Sequence, residues 1–368
     1  MRVAVFYELN IGGARRAALE LAKELTKKHD VKIFAVDYGN SDDYAALNHT
    51  IYAFHSPSNA KGLGRIRHDT WDLVRLAVLH LKITRDILSW KADCVFVHPS
   101  CYTQTPYVLA FLKWTRIPTC FYCQEPLRIV HDPFYRLPDD LKGFKRFYET
   151  MNRGLRRVLD AFLIHQSTMV LTNSHSTQKR IYKAYGLRAE VCYLGIDTSL
   201  FFPTKEKKKY DVLFVGGPVS TEGFDLLTQA LQHMKTKLRT HFIHARERNT
   251  PLTDAELRSA YNTSRITMCL SRNETFGLTF LESLACGTPG IVIREGGYKE
   301  TVLHGKTAFF VPPNAKEIAK TITFLLKHPK LQKELGENGV RDVRTRWTWE
   351  KSGKNVEKFL KNMMNQGR

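Results

Sequence analysis

Two doubly wound α/β domains, each a parallel sheet flanked by helices, are the fold this sequence predicts. Three observations predict it. A strand, a glycine pair and an apolar-faced helix occur in that order twice, at Val3–Tyr7 with Gly12-Gly13 and at Asp211–Val215 with Gly216-Gly217. Each reads as the opening of a βαβ unit of a parallel sheet. Between the two lies the polar, lysine-rich stretch Pro203–Lys209, a natural boundary. A length of 368 residues accommodates two domains of ordinary size. The expected division is a Rossmann-like domain over residues 1–203, a second over residues 204–345 facing it across a cleft, and a closing segment, residues 346–368.

Val3–Tyr7 is apolar and reads as a buried first strand. After the glycine pair, Ala14, Ala17, Ala18, Leu21, Ala22 and Leu25 recur on one helical side, and Lys27, Lys28 and His29 end the helix. Val31–Val36 is the second strand. The glycine pair lacks the third glycine of a dinucleotide fingerprint, so by itself it is either a phosphate loop or a tight turn. Arg15 and Arg16 then either meet a phosphate or lie on a solvated helix face. Trp71–Trp90 has helical spacing, and His80 on its apolar side reads as a packed histidine. Two further strands, Asp93–Val97 and Pro118–Tyr122, end in His98-Pro99-Ser100 and Gln124-Glu125-Pro126. Ligands of open parallel sheets collect at the carboxyl ends of strands, which puts His98, Gln124 and Glu125 where chemistry can occur.

Leu141–Leu163 has a different character. Lys142, Lys145, Arg146, Arg153, Arg156 and Arg157 alternate with Phe144, Phe147, Tyr148, Met151, Leu155, Val158 and Leu159. A basic amphipathic helix of this kind either lies on an anionic lipid surface or packs on its domain with a solvated basic face.

In the second half, Ser271–Ile293 reads strand end, turn, helix, turn, strand. Glu274 and Glu282 stand eight residues apart in it, with Thr275-Phe276-Gly277-Leu278 between them. Phe280, Leu281, Leu284 and Ala285 sit at helical spacing, Gly287 stops the helix, and Pro289 follows. Glu282 falls about two turns into the helix. The turn offers backbone N–H groups at a helix N-terminus, suited to a phosphate or a sugar oxygen. The two carboxylates can grip sugar hydroxyls, or they are one N-terminal and one solvated glutamate.

This stretch resembles the signature of retaining glycosyltransferases of family 4, which have the GT-B fold. The matching elements are Glu274, Phe276-Gly277, Glu282, Gly287 and Pro289. The resemblance extends over essentially the whole chain, through the Gly12-Gly13 pair, Gln124–Arg128, Asn173-Ser174 and Gly195-Ile196-Asp197. It implies transfer of a sugar from a nucleotide-diphosphate sugar by front-face attack, with the donor phosphate helping to deprotonate the acceptor. Glu282 is implied at the ribose and Glu274 at the donor sugar, and the turn amides of Phe276, Gly277 and Leu278 face sugar and diphosphate. Gly12, Gly13 and Arg16 are implied on the acceptor side, with Gln124 and Glu125 near the reacting centre. The last helix is implied to cross back to the first domain. Many relatives carry His where Gln124 stands, and a neutral amide cannot accept a proton at pH 7. The family's usual diphosphate-binding Arg and Lys are replaced by Gly217 and Glu222. Arg272, Arg246 and Arg248 are placed to substitute, with added donors from the Gly216 and Gly217 amides, or they are ordinary surface arginines.

Composition bounds the partners. Lys plus Arg number 56 and Asp plus Glu 36, a formal net charge of +20. Anionic partners follow: phosphorylated ligands or an anionic membrane surface. No recognisable module supports a nucleic acid. Seven cysteines, an odd number, argue against a disulfide framework, and Cys120 and Cys123 alternate to opposite faces of a strand. No Asp-x-Asp metal motif, signal peptide or bilayer-spanning run is visible. The expectation is a cytoplasmic transferase, peripheral on the membrane, that uses no metal and no cofactor beyond its donor. Its acceptor is expected to be a glycan or a lipid-linked molecule.

Overall fold

The computed structural model describes residues 1–37, 47–54, 63–244 and 252–366. They form two compact units. Unit 1 comprises Met1–Asn173, Thr177–Cys192 and Gly353–Arg368, and unit 2 comprises Ser174–Ser176 and Tyr193–Ser352.

The elements of the first half are β1 (Arg2–Glu8), α1 (Gly13–Thr26), β2 (Asp30–Asp37), β3 (His49–Ala53), α2 (Leu63–Ser89), β4 (Cys94–Ser100), α3 (Val108–Lys113), β5 (Thr119–Tyr122), α4 (Arg128–His131), α5 (Gly143–Ile164), β6 (Met169–Thr172), α6 (His175–Tyr185) and β7 (Glu190–Val191). The seven strands form one parallel sheet in the order β3-β2-β1-β4-β5-β6-β7. Strand order reverses at β1 and β4, the switch point of a doubly wound sheet. The central strands are apolar runs because both faces are covered. On one face Phe6, Phe34, Val97 and Phe121 pack with Leu76, Ile83 and Ile87 of α2. Edge strand β3 escaped the sequence reading. Only Tyr52 of its five residues is buried, so it carries little apolar signal.

The second half contains β8 (Tyr210–Val215), α7 (Phe224–Gln232), β9 (Thr240–Ile243), α8 (Asp254–Thr263), β10 (Ser264–Cys269), α9 (Leu278–Ala285), β11 (Gly290–Ile293), α10 (Tyr298–Thr301), β12 (Ala308–Val311), α11 (Ala315–Lys327), α12 (Pro329–Arg346) and α13 (Trp349–Gln366). Five parallel strands are ordered β12-β11-β10-β8-β9. Central β10 and β11 are almost wholly buried, and α9 buries every residue from Phe280 to Ala285. A capping box of Thr253 and Glu256 starts α8, fixing the helix that carries Tyr261. The closing helix α13 belongs to unit 1 from Gly353 onward.

Candidate functional site

In unit 2 the signature stretch joins β10, α9 and β11. Glu274 Oε1 accepts the N–H of Phe276 at 3.3 Å and of Gly277 at 3.1 Å. The carboxylate thus caps the start of α9, at the positive end of the helix dipole. Glu274's own carbonyl accepts the Gly297 N–H at 2.8 Å. Gly296, at φ +55°, leaves no room for a Cβ against that carbonyl, so the loop before α10 closes directly on the turn. Two of the amides expected to face a ligand are therefore already engaged by Glu274. Phe276 is 1% exposed, its ring centroid 6.1 Å from that of Tyr193 and 5.6 Å from that of Trp347. Its side chain is core, and only its backbone belongs to the turn. Leu278, the first residue of α9, is half-buried.

Glu282 is 6% exposed, which removes the solvated-glutamate reading. Its Oε2 accepts the Tyr261 hydroxyl at 3.0 Å. Burial, and then the Glu282 charge, hold the Tyr261 phenol far above its ordinary pKa, so it stays a donor. Nothing in the spacing of the signature pointed to Tyr261. A tyrosine on the inner side of the preceding helix was the only available signal.

At the end of β8 the glycine pair is filled from within. Glu222 Oε2 accepts the Gly217 N–H at 2.8 Å, and the Gly216 N–H donates to Ile243 O at 3.0 Å. A Cβ on Gly216 would lie 2.5 Å from Glu222 Oε2. Both amides expected to reach a diphosphate already have protein acceptors. Arg272 enters the same corner, its N–H bonded to Thr221 O at 2.8 Å. Arg246 and Arg248 lie outside the described residues.

Unit 1 gathers the other candidates at the carboxyl ends of its strands. Gly12 and Gly13 are exposed at the start of α1, and Arg16 is half-buried there. Arg15 is 2% exposed and so cannot lie on a solvated helix face. Gln124 Nε2 donates to Ala14 O at 3.1 Å, and Asn173 Nδ2 donates to Gln124 O at 3.1 Å. This ties the ends of β5 and β6 to the first turn of α1. Glu125 pairs with Arg128, and its carbonyl accepts Gln104 Nε2 at 2.8 Å. His98 is wholly buried between aromatic rings, and burial pushes its pKa down to about 3. It is neutral at pH 7 and packed, not a proton carrier. A carboxylate the sequence reading passed over ends β1: Glu8 Oε2 lies 3.2 Å from His80 Nε2, with both side chains fully buried. His80 is packed as expected, and its spacing gave no hint of this partner. Among the described residues no three His, Cys, Asp or Glu side chains converge as metal ligands.

The family model described as Glycosyltransferase Family 4 matches residues 11–200, and that described as Glycosyl transferases group 1 matches residues 250–342. Mannosylfructose-phosphate synthase of Agrobacterium fabrum is 24% identical over 239 residues, covering 52% of this chain and 53% of that protein. The alpha-1,3/1,6-mannosyltransferase ALG2 of Dictyostelium discoideum is 31% identical over 90 residues, covering 24% of this chain and 21% of that protein. The chain thus spans about half, or less, of the length of these curated relatives. Among solved structures, sucrose-phosphate synthase from Thermosynechococcus elongatus superposes with a TM-score of 0.75 at 14% identity, covering 99% of both chains. Anabaena HepE in complex with UDP-glucose superposes with a TM-score of 0.72 at 14% identity, covering 98% of this chain and 100% of that one. These likenesses show the fold, GT-B.

Proposed function

Because this chain belongs to glycosyltransferase family 4, we propose that it moves a sugar from a nucleoside-diphosphate sugar to a hydroxyl acceptor, with retention at the anomeric carbon and without a metal. The observation that carries this reading is the carboxylate pair of unit 2. Glu282 is buried and held by Tyr261, while Glu274 sits at the mouth of α9. In this reading Glu282 accepts the ribose hydroxyls, using acceptor positions beyond the one Tyr261 occupies. Glu274, which already holds the Phe276 and Gly277 amides, and the Leu278 amide contact the donor sugar. Arg272, at the corner of β8 and β10, compensates the charge that develops on the leaving diphosphate. Unit 1 offers a neutral His98 and an amide-bearing Gln124 at its strand ends, neither of them a base at pH 7. As the resemblance to family 4 implies, the acceptor proton passes to the donor's own phosphate. The protein's share is positioning and electrostatics. The acceptor is a glycan or a lipid-linked molecule at the cytoplasmic face of an anionic membrane, a reading supported by the net charge of +20.

The test is a thermal-shift screen against nucleoside diphosphates and nucleotide-sugars, followed by donor hydrolysis and transfer assays. A ligand at about one hundred times its dissociation constant stabilises the fold by roughly 2.7 kcal/mol. No stabilisation by any nucleotide overturns the reading. One observation favours a second reading, a silent sugar-nucleotide-binding protein: Glu222 puts a carboxylate on the Gly217 amide, where a diphosphate needs positive charge. Nucleotide binding without hydrolysis or transfer would select it.

A further inference from the structure

Helix α5 turns its apolar side to solvent. Phe144, Phe147, Met151, Leu155, Val158 and Phe162 are each 53% to 68% exposed. At about 100° per residue the six fall within an arc of roughly 80°. The buried residues of the helix are Asp160, Leu163 and Ile164, near its end. The packed arrangement with only a basic face in solvent is therefore not the one adopted. A continuous exposed apolar stripe marks a surface that meets something.

A cavity of about 640 Å³ lies along the same helix, lined by Arg136, Arg146, Arg153 and Arg157 together with Asp139. On α5, Gly154 and Thr150 of this lining lie next to the stripe, and Arg146, Arg153 and Arg157 follow behind them, roughly 120–160° round the helix from the middle of the stripe. Arg153 Nη1 donates to the carbonyls of Ile129 and Tyr135, and Arg146 Nη1 to that of Leu141 at 3.4 Å. These bonds orient guanidinium groups without neutralising them. Among the described residues none of the four arginines has a carboxylate within ion-pair distance.

We propose that α5 is a membrane-docking helix whose apolar stripe enters the interface of an anionic bilayer while the arginine cavity seats the phosphate of a lipid headgroup. The proposal rests on the reading of an acceptor held at a membrane, and it places that membrane against one helix of unit 1. An apolar face with cations on the opposite, polar side is the pattern of an interfacial helix. Among the described residues no helix is long and apolar enough to cross a bilayer, so the contact is peripheral. The net charge of +20 favours an anionic surface over a second, equally basic copy as the occupant.

The test uses the full chain with vesicles of phosphatidylcholine alone and of equal parts phosphatidylcholine and phosphatidylglycerol, at low and high salt. Co-sedimentation is expected only with the anionic vesicles and only at low salt. The pair Phe147→Ser with Val158→Ser, and the pair Arg136→Ser with Arg157→Ser, should each weaken partitioning by about tenfold or more. Replacing Lys316 and Lys330 by Ser lowers the total charge equally and should weaken it less. Equal binding to neutral vesicles, binding by the variants like that of the parent, or an equal loss from the lysine pair overturns the proposal. So does a dimer in light scattering that the Phe147 and Val158 changes abolish, if vesicles are not bound. Donor hydrolysis without vesicles is measured on every protein. Hydrolysis with no vesicle binding removes the docking surface and leaves the transferase reading intact.

Discussion

Replacing Glu282 by Ala should act twice, through two different partners. Within the protein it leaves the Tyr261 hydroxyl, now 3.0 Å from Oε2 and in a residue 0% exposed, with nothing to donate to. An orphaned buried hydroxyl costs about 1–3 kcal/mol of stability. Toward the ligand, if Glu282 binds the ribose as proposed, it removes a charge-assisted hydrogen bond worth about 1.5–3 kcal/mol, or roughly 10- to 150-fold in Kd. Adding Tyr261→Phe separates the two effects. The double variant has no orphaned hydroxyl, so it should regain most of the lost stability while nucleotide affinity stays low. The cycle should therefore show a coupling of about 1 kcal/mol or more in stability and little in binding. Denaturant midpoints report the first quantity and calorimetry with a nucleoside diphosphate the second. Unchanged affinity in Glu282→Ala would refute the ribose assignment. A double variant no more stable than Glu282→Ala would refute the Tyr261 partnership.

Three further outcomes are expected. Glu274→Gln keeps an oxygen for the Phe276 and Gly277 amides, so turnover should fall more than nucleotide affinity; a loss confined to affinity would mean that the two glutamates have exchanged roles. Arg272→Ala should lower turnover by more than roughly tenfold, about 1.4 kcal/mol, and parent-like turnover would remove it from the diphosphate site. Burial raises the Asp160 carboxyl from 3.8 to about 6, against the hydrogen bonds it accepts from Thr105 and Tyr185. The folded state therefore holds this proton more tightly, and the resulting stability is full below pH 3.8 and lost as pH rises through 6. The shift corresponds to about 3 kcal/mol, so the stability of the parent relative to Asp160→Asn should fall by about that much between pH 3.5 and pH 7. A pH-independent difference in denaturant midpoints would contradict it.

The sequence by itself determined what depends on local pattern. Apolar runs and helical spacing located the central strands and the helices of the signature, because both faces of a parallel strand and one face of each helix must be buried. The candidate site was legible through the resemblance carried by Glu274, Phe276-Gly277 and Glu282, which lie on one continuous turn and helix, whereas spacing alone left Glu282 either a ligand or a solvated glutamate. Tertiary structure decided which polar side chains meet. Glu8 and His80 pair across 72 residues, and Tyr261 reaches Glu282 from another helix. Glu222 folds its carboxylate onto the glycine loop that was expected to bind phosphate. Gly296 and Gly297 close on the signature turn from more than twenty residues away. None of these leaves a periodic trace, because a side-chain contact between distant segments depends on how strands are ordered in the sheet. The stripe on α5 marks the same divide. Spacing set which residues share its apolar face, but whether protein or solvent covers that face depends on what the rest of the chain packs against it, and there the fold leaves it open.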